Sequence, residues 1–365
     1  MNIEKISILN FRNIKVAQIE FEHQINILSG ANGHGKTNIL EAVYFTGTLK
    51  SFRHAKQADL VSWNQNSAII RAKVVKERIK HNLAVELESN RKSFEIDGKH
   101  VTKAADFCNT LSVVVFSPDE IQMVNGAPEL RRRYLDRAIF SSSPDYLRLY
   151  QEYYLNLKHR NHLLKSRNYR GLDVWTEQLV RSGTKLIKAR TDYVNIISAL
   201  FRPYYTEISG SDEVSDLCYD AKSFAIELDS NQIEQNFREK LQEYSQIERE
   251  RLTTMVGPHR DDLLFYLNNR PIAMHGSQGQ QKSFVLALKM AEIEYLKSVR
   301  GEYPVLLIDD MTAELDRKRV THLTDFMLSR NMQVIITTTD PADARLPEES
   351  ISALFHVENG TISRK

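Results

Sequence analysis

Residues Gly30–Thr37, GANGHGKT, constrain the fold of this chain more than any other stretch. They fit G-x-x-x-x-G-K-[ST] and stand between an apolar run, INIL, and a helix-patterned run, KTNILEAVYF. Strand, Gly-rich turn, then helix is the order a phosphate loop requires. Gly30, Gly33 and Gly35 let backbone N–H groups turn inward around phosphate oxygens without side-chain clashes. Lys36 then sets its ammonium beside the β- and γ-phosphates, Thr37 offers a hydroxyl to Mg²⁺, and the helix N-terminus adds its dipole. Ala31, Asn32, His34 and Asn38 complete the expected nucleotide-binding stretch.

The rest of the chain reads as an α/β protein whose core is closed by its two ends. EKISILNF, VAQIEF and INIL are strand-like. From about Ser67 to Val101 the alternation of AIIRAKVV, HNLAVELE and KSFEIDGKHV, with the turn signal Asp97-Gly98, predicts an antiparallel meander. LSVVVFSP is a short buried strand ended by Pro118. From about Ala127 to Ile208 the texture turns helical, with Pro203 expected to close the run. SFAIEL then reads as a strand, SNQIEQNFREKLQEY as a helix and LLFYLNN as a strand. The tail alternates helix and strand through PVLLID, RVTHLTDFML, QVIITTT and ALFHVEN. The expected division is a discontinuous head, residues 1–120 and 253–365, with a mostly helical lobe over 121–252.

PVLLIDD is a buried strand carrying Asp309 and Asp310 at its carboxyl end. Asp309 is expected to hold Mg²⁺ with Thr37, and Asp310 to orient or deprotonate the attacking water. GSQGQQKS, Gly276 to Ser283, opens another helix. Such a stretch is either a simple capped start or a backbone surface that holds an anion.

Taken together these motifs resemble those of ATP-binding-cassette ATPases. Ser277, Gly279 and Gln280 match the core of that family's signature, S-x-G-Q. The resemblance implies that the signature faces the nucleotide of a second subunit, with Ser277 and the Gly279 amide on its γ-phosphate and Gln280 among the catalytic groups. Glu314-Leu315-Asp316 resembles the D-loop, implying that Glu314 and Asp316 lie at that dimer interface. Thr338, Thr339 and Asp340 stand where transporter cassettes carry a switch His, and Asp310 stands where most carry Glu. That shorter carboxylate is expected to give slow hydrolysis, with turnover not well above about 1 s⁻¹.

Within this superfamily the chain is similar to the RecF family of bacterial recombination mediators, whose heads are related to those of SMC proteins. ISILNFRNI, SFR, FSPDEIQMVNGAPELRRRYLD, GPHRDDL, SQGQQKS, LLIDDMTAELD and VIITTTD carry the similarity across nearly the whole chain. It implies an ABC-type P-loop core with an antiparallel β subdomain and an inserted helical lobe. It also implies a DNA-stimulated ATPase of repair and replication restart that dimerises with Mg-ATP on duplex, gapped or ss/ds-junction DNA. RecR and RecO would be its partners in recombinase loading and the SOS response. Arg12 and Asn13, in FRN, are expected either at the nucleotide or in an ordinary turn between two strands.

Net charge is only +2, so a DNA surface has to come from local patches. Between Lys158 and Arg190 there are nine Lys/Arg against two acids. Arg131, Arg132, Lys158, Arg160, Lys165 and Arg167 are the expected DNA contacts, though such a run also suits a solvated face. The two cysteines, Cys108 and Cys218, have no CxxC spacing, and no apolar run reaches membrane-span length, so a cytoplasmic location is expected.

Overall fold

The computed structural model describes residues 1–222, 229–310 and 315–365. It divides into two compact units: 1–122, 207–210 and 278–365 in the first, 123–206 and 211–277 in the second.

The first unit opens with β1 (Asn2–Phe11), β2 (Ile14–Glu20), β3 (Ile25–Ser29) and α1 (Lys36–Thr48). Next come β4 (Ser67–Lys76), β5 (Ile79–Glu88), β6 (Lys92–Ile96), β7 (Lys99–His100), α2 (Ala104–Cys108), β8 (Val113–Phe116) and α3 (Pro118–Asn125). The second unit contains α4 (Pro128–Ser142), α5 (Tyr146–Lys165) and most of α6 (Leu172–Ser209). It continues with β9 (Ser215–Asp220), α7 (Ser230–Glu243), α8 (Ser245–Arg251), β10 (Asp262–Leu267), β11 (Arg270–Pro271) and α9 (Ile272–His275). The chain then returns to the first unit with α10 (Gln278–Arg300), β12 (Val305–Asp309), α11 (Arg317–Ser329), β13 (Val334–Thr338), β14 (Ile351–Glu358) and β15 (Thr361–Arg364).

Two six-stranded sheets build the first unit. One runs β15-β14-β3-β13-β12-β8 and is parallel apart from the β14–β15 hairpin. Every residue of β3, β12 and β13 is buried, as expected for central parallel strands. The other sheet, β2-β1-β4-β5-β6-β7, is antiparallel. Its β4 alternates buried and exposed positions, the pattern of a sheet covered on one face. Helix α1 packs on strands of both sheets, so it is buried nearly all round. Ile6, Phe11, Ile39, Val43, Leu83 and Leu307 share that core.

Two expectations change, and a third falls outside the described residues. Helix α6 continues through Pro203 to Ser209. Proline removes one backbone donor, but Phe201, Tyr205 and Ile208 are fully or almost fully buried and hold the helix on both sides of it. The lobe extends to Ser277 instead of ending at 252, because β10 pairs antiparallel with β9 inside the second unit. The strand reading of SFAIEL falls on residues 223–228, outside the described residues.

Candidate functional site

Strand β3 delivers the phosphate loop at the C-terminal end of the parallel sheet, and α1 starts at Lys36. Gly30 has φ 149°, and a Cβ there would stand 2.2 Å from the carbonyl oxygen of Val357 in β14. Gly35, at φ 110°, would put a Cβ 2.9 Å from Asn13 Oδ1. Both positions therefore admit only glycine. Lys36 Nζ is folded back into the loop, donating to Gly30 O at 2.7 Å and Ala31 O at 3.1 Å. Burial holds its pKa below the ordinary lysine value, against the opposing pull of Asp310 and Asp309. A desolvated ammonium facing neutral carbonyls inside a glycine cradle fits an anionic ligand.

Across the sheet, Thr37 Oγ1 donates to Asp309 Oδ1 at 2.8 Å. The same oxygen accepts a 2.8 Å bond from Thr337 Oγ1, and the Asp310 N–H donates to that threonine's hydroxyl at 3.2 Å and its carbonyl at 3.1 Å. Burial raises the Asp309 pKa, while the Thr337 and Thr37 hydroxyls and the Arg53 charge oppose this. A buried carboxylate beside a threonine hydroxyl has the hard-oxygen donor set that suits Mg²⁺. Asp310 turns into the left-handed region at φ 50°. Thr337 was not legible as a site residue. Its signal is the parallel register that sets it opposite Asp309, and a register between distant strands is not written in either strand alone.

The β1–β2 turn reaches this loop through Asn13. Its Nδ2 donates to Gly33 O at 3.3 Å, and its Oδ1 accepts from Asn38 Nδ2 at 2.7 Å. Arg12 is differently placed. Its Nε and Nη2 grip the fully buried Glu41 at 2.9 Å each, and Nη1 donates to Asp59 O at 3.1 Å. Its guanidinium anchors the turn to α1. Arg53, another residue given no role from sequence, donates to Asn38 Oδ1 at 3.1 Å.

The signature stretch straddles the unit boundary, with Ser277 ending the second unit and Gly279 and Gln280 in the first turn of α10. Arg319 of α11 ties that turn down: Nη2 donates to Gly279 O at 2.7 Å and Nε to Ser283 Oγ at 2.9 Å. Asp316 caps α11 through the Arg319 N–H at 3.0 Å and also pairs with the Arg319 guanidinium. Glu314 lies outside the described residues. Lys289, buried in α10, bridges Glu120 at 2.8 Å and Glu292 at 2.9 Å.

The second unit sorts the expected DNA contacts. Arg131 is buried and bidentate to Asp262, at 2.9 and 2.8 Å. Arg160, 3% exposed, binds Glu248 at 2.6 Å and Thr254 at 2.7 Å. Neither guanidinium is available to a phosphate, which corrects both assignments. Helical periodicity makes this intelligible: Tyr153, Asn156, Leu157, Arg160 and Leu164 form the buried face of α5. Arg132 is half-buried and donates to the Asp261 carbonyl at 2.7 Å. Lys158, Lys165, Arg167 and Arg170 are exposed, as are Arg181, Lys185 and Lys188 on α6.

The same unit absorbs GPHRDDL. His259 Nδ1 shares a hydrogen bond with Tyr153 Oη at 2.6 Å, and burial pushes its pKa down to about 4. Burial pushes Asp261 up to about 6. Arg190, fully buried, donates to Pro258 O at 2.7 Å and pairs with Asp136 at 2.7 Å. ELRRRYLD and GPHRDDL are thus complementary halves of one polar network inside the lobe.

Comparison with known proteins agrees with this arrangement. The model of the family described as RecF/RecN/SMC N terminal domain matches residues 2–363. The protein named DNA replication and repair protein RecF from Geobacter metallireducens is 47% identical over 363 residues, covering 100% of both chains. Its namesake from Geobacter sulfurreducens is 45% identical, again over 100% of both. The structure titled as the recombination mediator protein RecF-ATP in the RecFOR pathway superposes with a TM-score of 0.92 at 28% identity, covering 100% of this chain and 97% of that one. An SmcHead structure bound to the C-winged helix domain of ScpA matches at a TM-score of 0.58 and 16% identity, a likeness of fold.

Proposed function

We propose that this chain, which belongs to the RecF/RecN/SMC N-terminal domain family and resembles its RecF members over its full length, is an ATP-switched DNA clamp of recombinational repair and replication restart. The observation that carries the reading is the bond between Thr37 and Asp309, which lie 272 positions apart. Two motifs that a phosphate loop and an acidic strand make separately are joined at hydrogen-bonding distance. Gly30 to Thr37 would hold the triphosphate, and Lys36 would turn from the loop carbonyls to its β- and γ-oxygens. Thr37 and Asp309 would hold Mg²⁺, which would supply positive charge to offset that of the phosphates. Asp310 would orient the attacking water. Ser277, with the first turn of α10, would close on the triphosphate of a second copy. ATP bridging two faces that meet only in the dimer favours that state. Slow hydrolysis would then reset the clamp, and RecO- and RecR-type proteins would be its partners. The free cysteines Cys108 and Cys218 suit a reducing cytoplasm.

The first test is ATPase rate per monomer against protein concentration, with and without gapped DNA. The rate is expected to rise with concentration, and DNA to move the rise to lower concentration. A flat rate indifferent to DNA means a site complete in one chain, and it removes the clamp reading in favour of a kinase-like one.

The exposed cations at the end of α5 and the turn beyond it are the DNA surface of this reading. Neutralising Lys158, Lys165, Arg167 and Arg170 together should flatten the plot of log K against log salt by about 0.9 for each phosphate left without its cation. Arg160→Ala should instead lower the melting temperature, because it strands the buried Glu248. An unchanged salt slope in the quadruple variant removes this surface.

A further inference from the structure

We infer that Arg319 is a positioning residue for the trans half of the site: it sets the first turn of α10 and ties it to Asp316. The inference rests on the proposed ATP-bridged dimer.

The geometry is specific. In the proposed dimer the N-terminal turn of α10, which begins at Gln278, faces the triphosphate of the second copy. The Gly279 carbonyl shares its peptide plane with the Gln280 N–H. The 2.7 Å bond from Arg319 Nη2 to that carbonyl therefore fixes the direction of the Gln280 amide. The bond from Nε to Ser283 Oγ, one turn further along, fixes the roll of the helix at 2.9 Å. A guanidinium suits this task because its donors form a rigid planar fork. The third contact is with Asp316, whose carboxylate also caps α11. One side chain thus joins the signature turn to Asp316 through a charged, three-point contact. The missing side chain of Gly279 belongs to the same device, since a Cβ there would stand 3.1 Å from Arg319 Nη2.

The test uses the full-length chain with Arg319→Ala, Arg319→Lys and Ser283→Ala. Three quantities are read: ATP affinity at a concentration where the chain is monomeric, the dimerisation constant with a non-hydrolysable ATP analogue, and amide hydrogen exchange of residues 277–284. Arg319→Ala is expected to keep monomer ATP affinity within about twofold. It should weaken ATP-dependent dimerisation by about tenfold, on the order expected for removal of a charge-assisted bond, and speed exchange in the first turn of α10. Arg319→Lys should recover little, because an ammonium cannot span the fork. Ser283→Ala should move the same readouts in the same direction by less. Unchanged dimerisation and exchange in Arg319→Ala overturn the inference, and so does a loss of monomer ATP affinity as large as the loss of dimerisation. If the wild-type chain does not dimerise with ATP at all, the clamp reading fails. The exchange measurement on the monomer then decides Arg319 alone, with unchanged protection overturning it.

Discussion

Lys36→Met is expected to lower ATP affinity by about 100-fold or more while leaving the nucleotide-free protein at least as stable as the wild type. The first half follows from the phosphate loop. Each charge-assisted bond to a phosphate oxygen contributes about 1.5–3 kcal/mol, and in the proposed site Lys36 would make at least one of them. The second half follows from the ammonium's surroundings. Its close partners are the Gly30 and Ala31 carbonyls, with Asn32 Oδ1 at 3.5 Å. Burial outweighs the attraction of Asp310 and Asp309, so the folded pKa lies below the unfolded one. The unfolded chain then holds the proton more tightly. Stability therefore rises with pH as the solution approaches the ordinary lysine pKa from below. Methionine fills similar space without the charge, and it removes that rise. Thermal unfolding with and without Mg-ATP, between neutral and alkaline pH, reads both halves. A variant that still gains stability from ATP contradicts the assignment of Lys36. A variant much less stable without nucleotide contradicts the reading of a strained ammonium.

Asp310→Asn is expected to lower ATP turnover by about 10²–10⁴-fold, the range for loss of a general base, with ATP affinity unchanged. The backbone supports the residue independently of its carboxylate: the Asp310 N–H is held by Thr337, and φ of 50° is a conformation that Asn tolerates as well as Asp. The exchange therefore removes basicity with little change of shape. In the clamp reading the variant binds ATP, dimerises and stays on DNA, so the DNA-bound lifetime should lengthen as turnover falls. Single-turnover hydrolysis and dissociation from gapped DNA measure the two effects. Full turnover would pass the role of base to another group. Lost turnover with an unchanged DNA lifetime would detach hydrolysis from release. Asp309→Asn should differ by weakening Mg-ATP binding itself, since Asp309 receives Thr37 directly.

The motifs of the candidate site stand out in the sequence because each is local. Gly30 to Thr37 carries its own turn geometry, and PVLLIDD carries its own burial and its carboxylates. The antiparallel meander was legible in the same way, through alternation and Asp97-Gly98, and so were most helices of the lobe. The sheet order β15-β14-β3-β13-β12-β8 brings together strands from both ends of the chain, and no window of sequence contains that information. The order makes Thr337 a partner of Asp309 and places Val357 against Gly30.

Charge was the least legible property. Arg131, Arg160 and Arg190 look like Lys158, Lys165 and Arg167 in sequence, yet the first three are buried and salt-bridged while the others are exposed. Burying an arginine costs several kcal/mol unless a carboxylate and further acceptors meet it. The partners Asp262, Glu248 and Asp136 lie 131, 88 and 54 positions away. The sequence by itself therefore determined the chemistry of the loop and the acidic strand, because backbone turns and strand burial are written within a few residues. Only the tertiary structure decided which cations remain for a ligand, because that depends on which distant carboxylates the fold brings to them.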